Sequence, residues 1–535
     1  MYSEEFRESI ELLCAAREKN MAYEPPRLTE EQREQLLSAY HPDYKKSGFK
    51  PLSVGADKGK SVPRELCDLL EAHSRINKER IDLSDIKYDV DVLIIGGGGA
   101  GTAAAIEARK AGADVLIVTK LRTGDSNTIM AEGGIQAAEG ENDSPALHFL
   151  DAFGGGRFAA KKELLEKLVT EAPEAIKWLS DLGVEFDREP DGTSVMTHGG
   201  GTCRKRIHSA RDCTGAEIMR TLRDEAESLG IPFADYTSAI ELILDEEGKA
   251  AGAVLMNTVT EEVSVARAKT VIIATGGAGR LHCGGFPTSN HYGATADGLV
   301  LGYRAGAGLF LADSLQYHPT GAAYPQQIFG ALVTEKARSL GARLINRDGE
   351  AFVNPLETRD VTTAAIIREC FGRGKGIDTG SGKAVWLDTP MIEKLGGEGT
   401  IQKRLPAMLR MFLSCGIDIR REPVAVCPTL HYQNGGLDIN SDCMTPNVEN
   451  LYACGEVAGG IHGRNRLMGN ALADIIVFGR IAGKNAAEKA GRTTVGALAL
   501  EHINRFEAEL AAAKIATDAV SPMLLPDYRY KKTEI

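Results

Sequence analysis

The sequence predicts an α/β fold organised around a dinucleotide-binding βαβ unit, and three observations predict it. Residues 89–95 (DVDVLII) form a β-branched apolar run of the kind a buried strand requires. Gly96-Gly-Gly-Gly-Ala-Gly101 follows, residues 102–111 read as helix, and residues 115–118 read as a second buried strand. Glycine-rich turns then recur after later strands, at Ala274-Thr-Gly-Gly-Ala-Gly279 and Cys454-Gly-Glu456. In the first turn, Gly96 permits the tight bend and Gly98 lets backbone approach a pyrophosphate. Gly101 lets the helix pack close, with its N-terminus toward the phosphates.

The remaining elements follow in chain order. Residues 1–87 are polar; Phe6, Ile10 and Leu13 recur at helical spacing, 40–48 is a loop, and 63–76 has the spacing of an amphipathic helix. This extension is expected either to pack on the main body or to act as a docking arm for a partner. Strands are expected near 239–244, 252–256 and 270–274. Residues 313–428 read as a separate insert. Strand-turn character returns at Asn450-Leu-Tyr-Ala-Cys-Gly-Glu456, 470–487 is a helix, 498–516 is helical, and Tyr528-Arg-Tyr-Lys-Lys is a basic end.

With 535 residues the chain is too long for one core, so two or three domains are expected. The net charge of -12 and the lack of a basic tract argue against nucleic acid and anionic membrane as partners. The acidic start, Met1-Tyr-Ser-Glu-Glu-Phe6, has no apolar signal region, and no apolar run reaches bilayer length; a cytosolic protein is expected. The ten cysteines are scattered without CxxC or CxxxC spacing, so free thiols and no metal site are expected. Redox chemistry would then draw its electrons from a partner or a diffusible donor.

A second group of residues points to a flavin. Thr119-Lys120 ends the second strand, where a nicotinamide domain more often has an acid for the ribose. Ala131-Glu-Gly-Gly134 follows after Gly124-Asp-Ser-Asn-Thr128. Glu456, at the end of a late strand, can take ribose or ribityl hydroxyls. Asn470-Ala-Leu472 opens a helix whose N-terminus can face the electron-rich end of an isoalloxazine ring. Candidate cofactor contacts are therefore Gly96, Gly98, Gly101, Thr119, Lys120, Ser126, Asn127, Thr128, Gly133, Gly134, Ala274, Thr275, Gly276, Asp297, Glu456, Asn470 and Leu472.

Five further motifs carry the acid, base and cation chemistry. They are Gln316-Tyr-His-Pro-Thr-Gly321, Thr334-Glu-Lys-Ala-Arg338, Thr358-Arg-Asp360, His431-Tyr-Gln-Asn-Gly-Gly436 and His462-Gly-Arg-Asn-Arg-Leu467. Taken singly, a His-Pro is usually a turn and an Arg-Asp pair usually structural. Together they supply what gripping two carboxylates and moving one proton needs. Arg466, His431, Thr334 and His318 can donate to carboxylates, and the planar fork of Arg matches one.

These motifs, with GGGGAG, AEGG, ATGGAG, CGE and NALAD, resemble in order those of the fumarate reductase and succinate dehydrogenase flavoprotein subunits and L-aspartate oxidase, over about residues 88–487. The resemblance implies a Rossmann-like FAD-binding domain in two segments, 88–312 and 429–490, interrupted by an α+β capping domain, 313–428. Short terminal extensions flank them at 1–87 and 491–535. It implies that Arg359 donates the proton through a relay with Glu335 and Arg338, and that His318, Thr334, His431 and Arg466 bind a small dicarboxylate. It also implies that electrons come from an iron–sulfur partner subunit.

Two departures narrow the resemblance. In the membrane-bound enzymes a His before Thr is linked covalently to FAD; Asn127 holds that position here, so FAD is expected to be non-covalent, which leans toward fumarate reduction or toward aspartate oxidase. L-aspartate oxidase carries an acid for the substrate amine just before a GGHS-like stretch. In His198-Gly-Gly-Gly-Thr-Cys203 the place falls to Gly199, although Arg206, Asp212 and Thr214-Gly215 are oxidase-like. Glu132 leans toward the fumarate reductases. The alternatives kept open are L-aspartate oxidase, a reductase of another unsaturated acid, and an FAD-bearing electron-transfer or scaffold protein without turnover.

Overall fold

The computed structural model describes residues 2–526 and 528; the basic end from Arg529 onward lies outside the described residues. Its largest sheet has eight strands. They run in the order Leu498–Ala499, Thr237–Asp245, Ala250–Asn257, Val263–Ile273, Ile86–Ile95, Val115–Val118 and Phe233–Ala234, with Leu451–Ala453 also paired to Val263–Ile273. The βαβ unit is parallel, with Val92 opposite Val115 and Ile95 opposite Val118. Leu451–Ala453 joins in parallel beside Val271–Ile273, so two chain segments far apart in sequence complete one sheet.

The helix Gly99–Lys110 starts at once after the first strand because its turn contains no side chains. Gly96 has φ 120°, and a Cβ on Gly101 would lie 1.9 Å from the Gly96 carbonyl oxygen. Only glycine allows that approach. The long helix Asn470–Ala490 lies against this one; a Cβ on Gly483 would meet the Ala104 carbonyl at 2.0 Å.

Between these segments lies a second, antiparallel sheet, ordered Leu315–Ala322, Val424–Gln433, Lys383–Asp388 and Arg343–Ile345, with Ile377–Asp378 also paired to Lys383–Asp388. The register sets Gln316 opposite Tyr432 and His318 opposite Thr429, with irregularities after Gln316 and after His318. The helix Arg359–Ile367 packs on Leu315–Ala322 and presents Arg359 at its first turn.

The segment before residue 86 belongs to both parts. Helix Glu4–Ala22 buries Phe6 and Leu13 against Trp386 and Ala425, and Glu30–Tyr40 buries Leu36 and Leu37 against Val361, Ala364 and Ala365. Leu52, Val54, Val62 and Leu66 instead join the core of the large sheet.

Two expected helices are shorter than their periodicity suggests. Residues 63–76 give only Arg64–Leu70, because His73–Ser74 pair in parallel with Val520–Ser521. Residues 498–516 give Glu501–Ala512, because Leu498–Ala499 add an edge to Thr237–Asp245. In both places a distant strand outcompetes local spacing for the backbone hydrogen bonds.

Candidate active site

One continuous cleft, with about 1610 Å³ of free space including its open mouth, runs from the glycine turns of the large sheet to the second sheet. Its long arm is lined by Gly96, Gly98, Thr119, Lys120, Ser126, Asn127, Thr128, Gly133, Gly134, Ala274, Thr275, Gly276, Asp297, Glu456 and Leu472. Gly101 and Asn470, also predicted as cofactor contacts, are not in the lining. Gly101 lies against the Gly96 carbonyl, and the Asn470 side-chain oxygen takes a bond from His148 Nε2 at 2.9 Å.

This arm fits FAD. The Gly96 turn and helix N-terminus offer the backbone cradle a pyrophosphate needs. A Cβ on Gly98 would stand 3.2 Å from that of Ser126, so the cradle is walled by small groups. Thr275 Oγ1 and Glu132 Oε2 are buried in the lining without a protein partner. Thr128 Oγ1 accepts from Gly99 N at 3.1 Å and steadies the turn. Lys120 Nζ donates to Asp297 Oδ2 at 2.5 Å and to the Leu524 carbonyl at 2.6 Å, which draws the C-terminal segment alongside the arm. Asn127 donates to Asn290 Oδ1 (2.7 Å) and Glu456 Oε2 (3.2 Å) and accepts from His291 N (2.6 Å). Its amide is thus held by three neighbours. Burial raises the Glu456 carboxyl above its ordinary range, and raises Glu132 further with Asp212 adding to it.

The short arm is lined by His318, Thr334, Glu335, Arg359, His431 and Arg466. Arg338, predicted with them, lies behind Glu335 and outside the lining. Arg359 Nε donates to Glu335 Oε2 at 2.8 Å, and Arg338 Nη2 lies 3.2 Å from the same oxygen. Gly200 N donates to Glu335 Oε1 at 2.7 Å. Burial alone would raise the Glu335 carboxyl, but the Arg359 and Arg338 guanidiniums overcome it and hold it at about 2. Burial lowers the Arg338 guanidinium from its ordinary value.

His318 and His431 face each other with ring centroids 5.1 Å apart. Burial and then Arg359 push both well below the ordinary histidine value, so both rings are neutral at pH 7. Thr320 N and the Thr320 carbonyl oxygen both lie 3.2 Å from His318 Nδ1. Ser289 Oγ lies 2.7 Å from His431 Nδ1; with the hydroxyl donating, the proton of that ring is at Nε2. Arg466 stacks on Tyr432 at 4.5 Å from the ring centre. Burial, with Arg359 adding to it, lowers the Arg466 guanidinium to about 9.

The arrangement has more cation than anion. Arg338, Arg359 and Arg466 face one strongly ionised carboxylate, Glu335, within a buried site. Such an excess favours an anionic ligand that brings the missing charge. Gln316 joins the two halves: its Oε1 accepts from Arg359 Nη1 at 3.0 Å and from Arg466 Nη2 at 2.9 Å. In the sequence Gln316 stands in a motif without a role of its own, and Ser289 stands in none. Neither residue type signals chemistry by itself; each is noticed only through the group it faces.

His462 is not in the cleft lining. Its Nε2 lies 3.1 Å from Asp474 Oδ2, which also accepts from Tyr432 at 3.2 Å, and so it braces the ring beneath Arg466.

The family described as FAD binding domain matches residues 91–472. The chain is 36% identical over 446 residues to the 8-methylmenaquinol:fumarate reductase flavoprotein subunit of Wolinella succinogenes, covering 79% of this chain and 70% of that one. It is 35% identical over 421 residues to L-aspartate oxidase of Streptomyces coelicolor, covering 76% and 70%. Among solved structures, E. coli quinol fumarate reductase superposes with a TM-score of 0.71 at 31% identity, covering 79% of this chain and 74% of that one. The chain therefore belongs to the FAD-binding family of the fumarate reductase and succinate dehydrogenase flavoprotein subunits and L-aspartate oxidase, and is an FAD-dependent oxidoreductase of that type.

Proposed function

We propose that the chain is the flavoprotein subunit of a fumarate reductase, which reduces fumarate to succinate. The observation that carries this is the file Arg338–Glu335–Arg359 ending in a cleft whose other walls are Arg466 and two neutral histidines. Arg466 and the Nε2–H of His431 grip one carboxylate of the substrate. His318 and Thr334 hold the other, which keeps the double bond in one orientation. Bound FAD supplies the hydride for one alkene carbon. Arg359 gives a proton to the neighbouring carbon, and Arg338 returns one to it through Glu335. A lone guanidinium is a poor acid, and the shared Glu335 oxygen is what makes the transfer between the two guanidiniums continuous.

The electrons are assigned to an iron–sulfur partner, because relatives are named as subunits and the ten cysteines of this chain lack cluster spacing. FAD is assigned as non-covalent, because Asn127 stands in place of the linking histidine and its amide is already occupied. Trichloroacetic acid should release all the flavin into the supernatant; flavin remaining with the pellet refutes the assignment. Aspartate is the weaker substrate reading. Gly199 has no side chain for an amine, and a Cβ there would already sit 2.8 Å from Ile207.

The test of function is reoxidation of the dithionite-reduced flavin by fumarate. Wild type should be reoxidised. Arg359→Ala should lose at least 100-fold in rate with its flavin content unchanged, in line with about 10²–10⁴-fold for a general acid. Near-native turnover in that variant would remove Arg359 from the mechanism, and reduction of the oxidised flavin by aspartate but not by succinate would favour the oxidase.

A further inference from the structure

Between Glu335 and Arg338 the chain carries a lysine that the proposed mechanism does not use. Lys336 is fully buried, an unusual place for an ammonium. Its Nζ does not turn back into the inserted region that bears it. It crosses to a loop of the FAD-binding region and donates to Ser209 Oγ at 2.9 Å and to the Arg211 carbonyl oxygen at 2.5 Å. The Asp187 carboxylate lies 3.8 Å away and is itself fixed by Arg211 N at 3.0 and 3.1 Å. Burial holds the ammonium down to about 8, with Asp187 opposing that shift. A buried amine without partners is strongly unfavourable, so this side chain is satisfied only while the two regions are in contact.

Two more bonds from the same short segment cross the same boundary. Glu335 accepts from Gly200 N, and Ser339 Oγ donates to the His198 carbonyl oxygen at 2.8 Å. Thr334 and Glu335 at the cleft, and Arg338 behind them, therefore take their places on a segment stitched to the other region at three points, with Lys336 in the middle.

We propose that Lys336 is a positioning residue, a latch that seats the segment 334–339 on the FAD-binding region and so places Glu335 and Arg338 for proton return to Arg359. This rests on the fumarate reductase reading for its kinetic consequence, but not for the latch itself. The latch is a property of the closed contact. Its removal should slow proton delivery without unfolding the protein, because the Asp187 carboxylate left behind is partly exposed and keeps its bonds from Arg211 N.

The experiment compares wild type, Lys336→Met and Lys336→Gln as full-length, FAD-loaded protein. In Lys336→Met the fumarate-driven reoxidation of reduced flavin should fall at least tenfold, with a larger solvent deuterium isotope effect and an unchanged flavin content. Lys336→Gln, which keeps a donor for Ser209, should restore most of the rate. Hydrogen exchange of residues 334–339 should rise at least fivefold in the Met variant and not in the Gln variant. A rate and an isotope effect within twofold of wild type, or a fall in melting temperature with normal kinetics, would overturn the proposal. If Lys336→Met does not fold, Ser209→Ala removes one acceptor from the opposite side and should slow reoxidation at least threefold; an unchanged rate there overturns it as well. If wild type itself is not reoxidised by fumarate, the functional reading fails, and the exchange comparison still decides the latch.

Discussion

Gln316 is the residue on which the Arg359 and Arg466 sides of the cleft meet. Its side-chain oxygen takes bonds from both Arg359 and Arg466, and its amide nitrogen donates to the Arg466 carbonyl oxygen at 2.7 Å and to Asn465 Oδ1 at 3.0 Å. One oxygen thus offsets part of the repulsion between two buried guanidiniums and fixes their separation. Gln316→Leu keeps much of the side-chain volume and removes the acceptor. Hydrogen bonds to charged groups are worth about 1.5–3 kcal/mol, so the variant should lose roughly ten- to 100-fold in the rate of fumarate-driven reoxidation. Its flavin content should be normal, because Gln316 is not in the cofactor arm. A rate within twofold of wild type in stopped-flow reoxidation would show that the guanidiniums hold themselves. At this scale the sequence is legible where residue type and chemistry coincide, as at Arg359, His431 and Arg466. It is not legible at Gln316, Ser289 or Lys336, whose parts depend on which atoms lie across a fold boundary.

At the scale of elements, legibility follows the range of the forces that form them. The strand and turn at 89–101 are written in adjacent residues, a β-branched run and then glycines, and they form as written, with the strand starting three residues earlier at Ile86. The helix Asn470–Ala490 is likewise local, with Ala473, Ile476, Val477 and Ala487 on its buried side. Residues 73–74 and 498–499 go the other way. Nothing in their own spacing says strand, and each is recruited by a distant edge. The long helices Lys162–Asp181 and Thr214–Ser228 have plain apolar periodicity, and beyond Thr214-Gly215 at the start of the second they bear no motif. The helix Pro406–Leu413 shows why some ends are invisible in sequence. Its N-terminal N–H groups at Ala407 and Met408 are accepted by Asp212 at 3.1 and 2.9 Å, a residue almost two hundred positions earlier. A side-chain acceptor at a helix start is worth about 1 kcal/mol, and here it is supplied from a distant segment of the chain.

Across the whole molecule, the segment before the family match ties the two regions together a further time. Helix Glu4–Ala22 sits on the inserted sheet and Glu30–Tyr40 on the helix Arg359–Ile367, while residues 49–81 pack on the large sheet and the C-terminal helix. The crossing point, residues 41–44, is buried at His41 and held by Leu315 N donating to Asp43 Oδ2 at 3.3 Å. Thermal stability should therefore depend on contacts made by the first forty residues, and the sharpest of them is the ion pair of Arg17 with Asp388. Arg17 Nε donates to both carboxylate oxygens, at 2.9 and 3.1 Å, and the Asp388 side chain is wholly buried. Burial raises the Asp388 carboxyl from its ordinary value, and Arg17 opposes that rise. Arg17→Met leaves the acid buried and unpaired, which costs about 3–5 kcal/mol, and the inserted region should melt earlier than in wild type. The double variant Arg17→Met with Asp388→Leu removes the stranded acid and should recover most of the loss. Calorimetry on the three proteins decides it: an Arg17→Met variant that melts with wild type, or a double variant no better than the single, would show that the N-terminal helices rest on the inserted region without holding it.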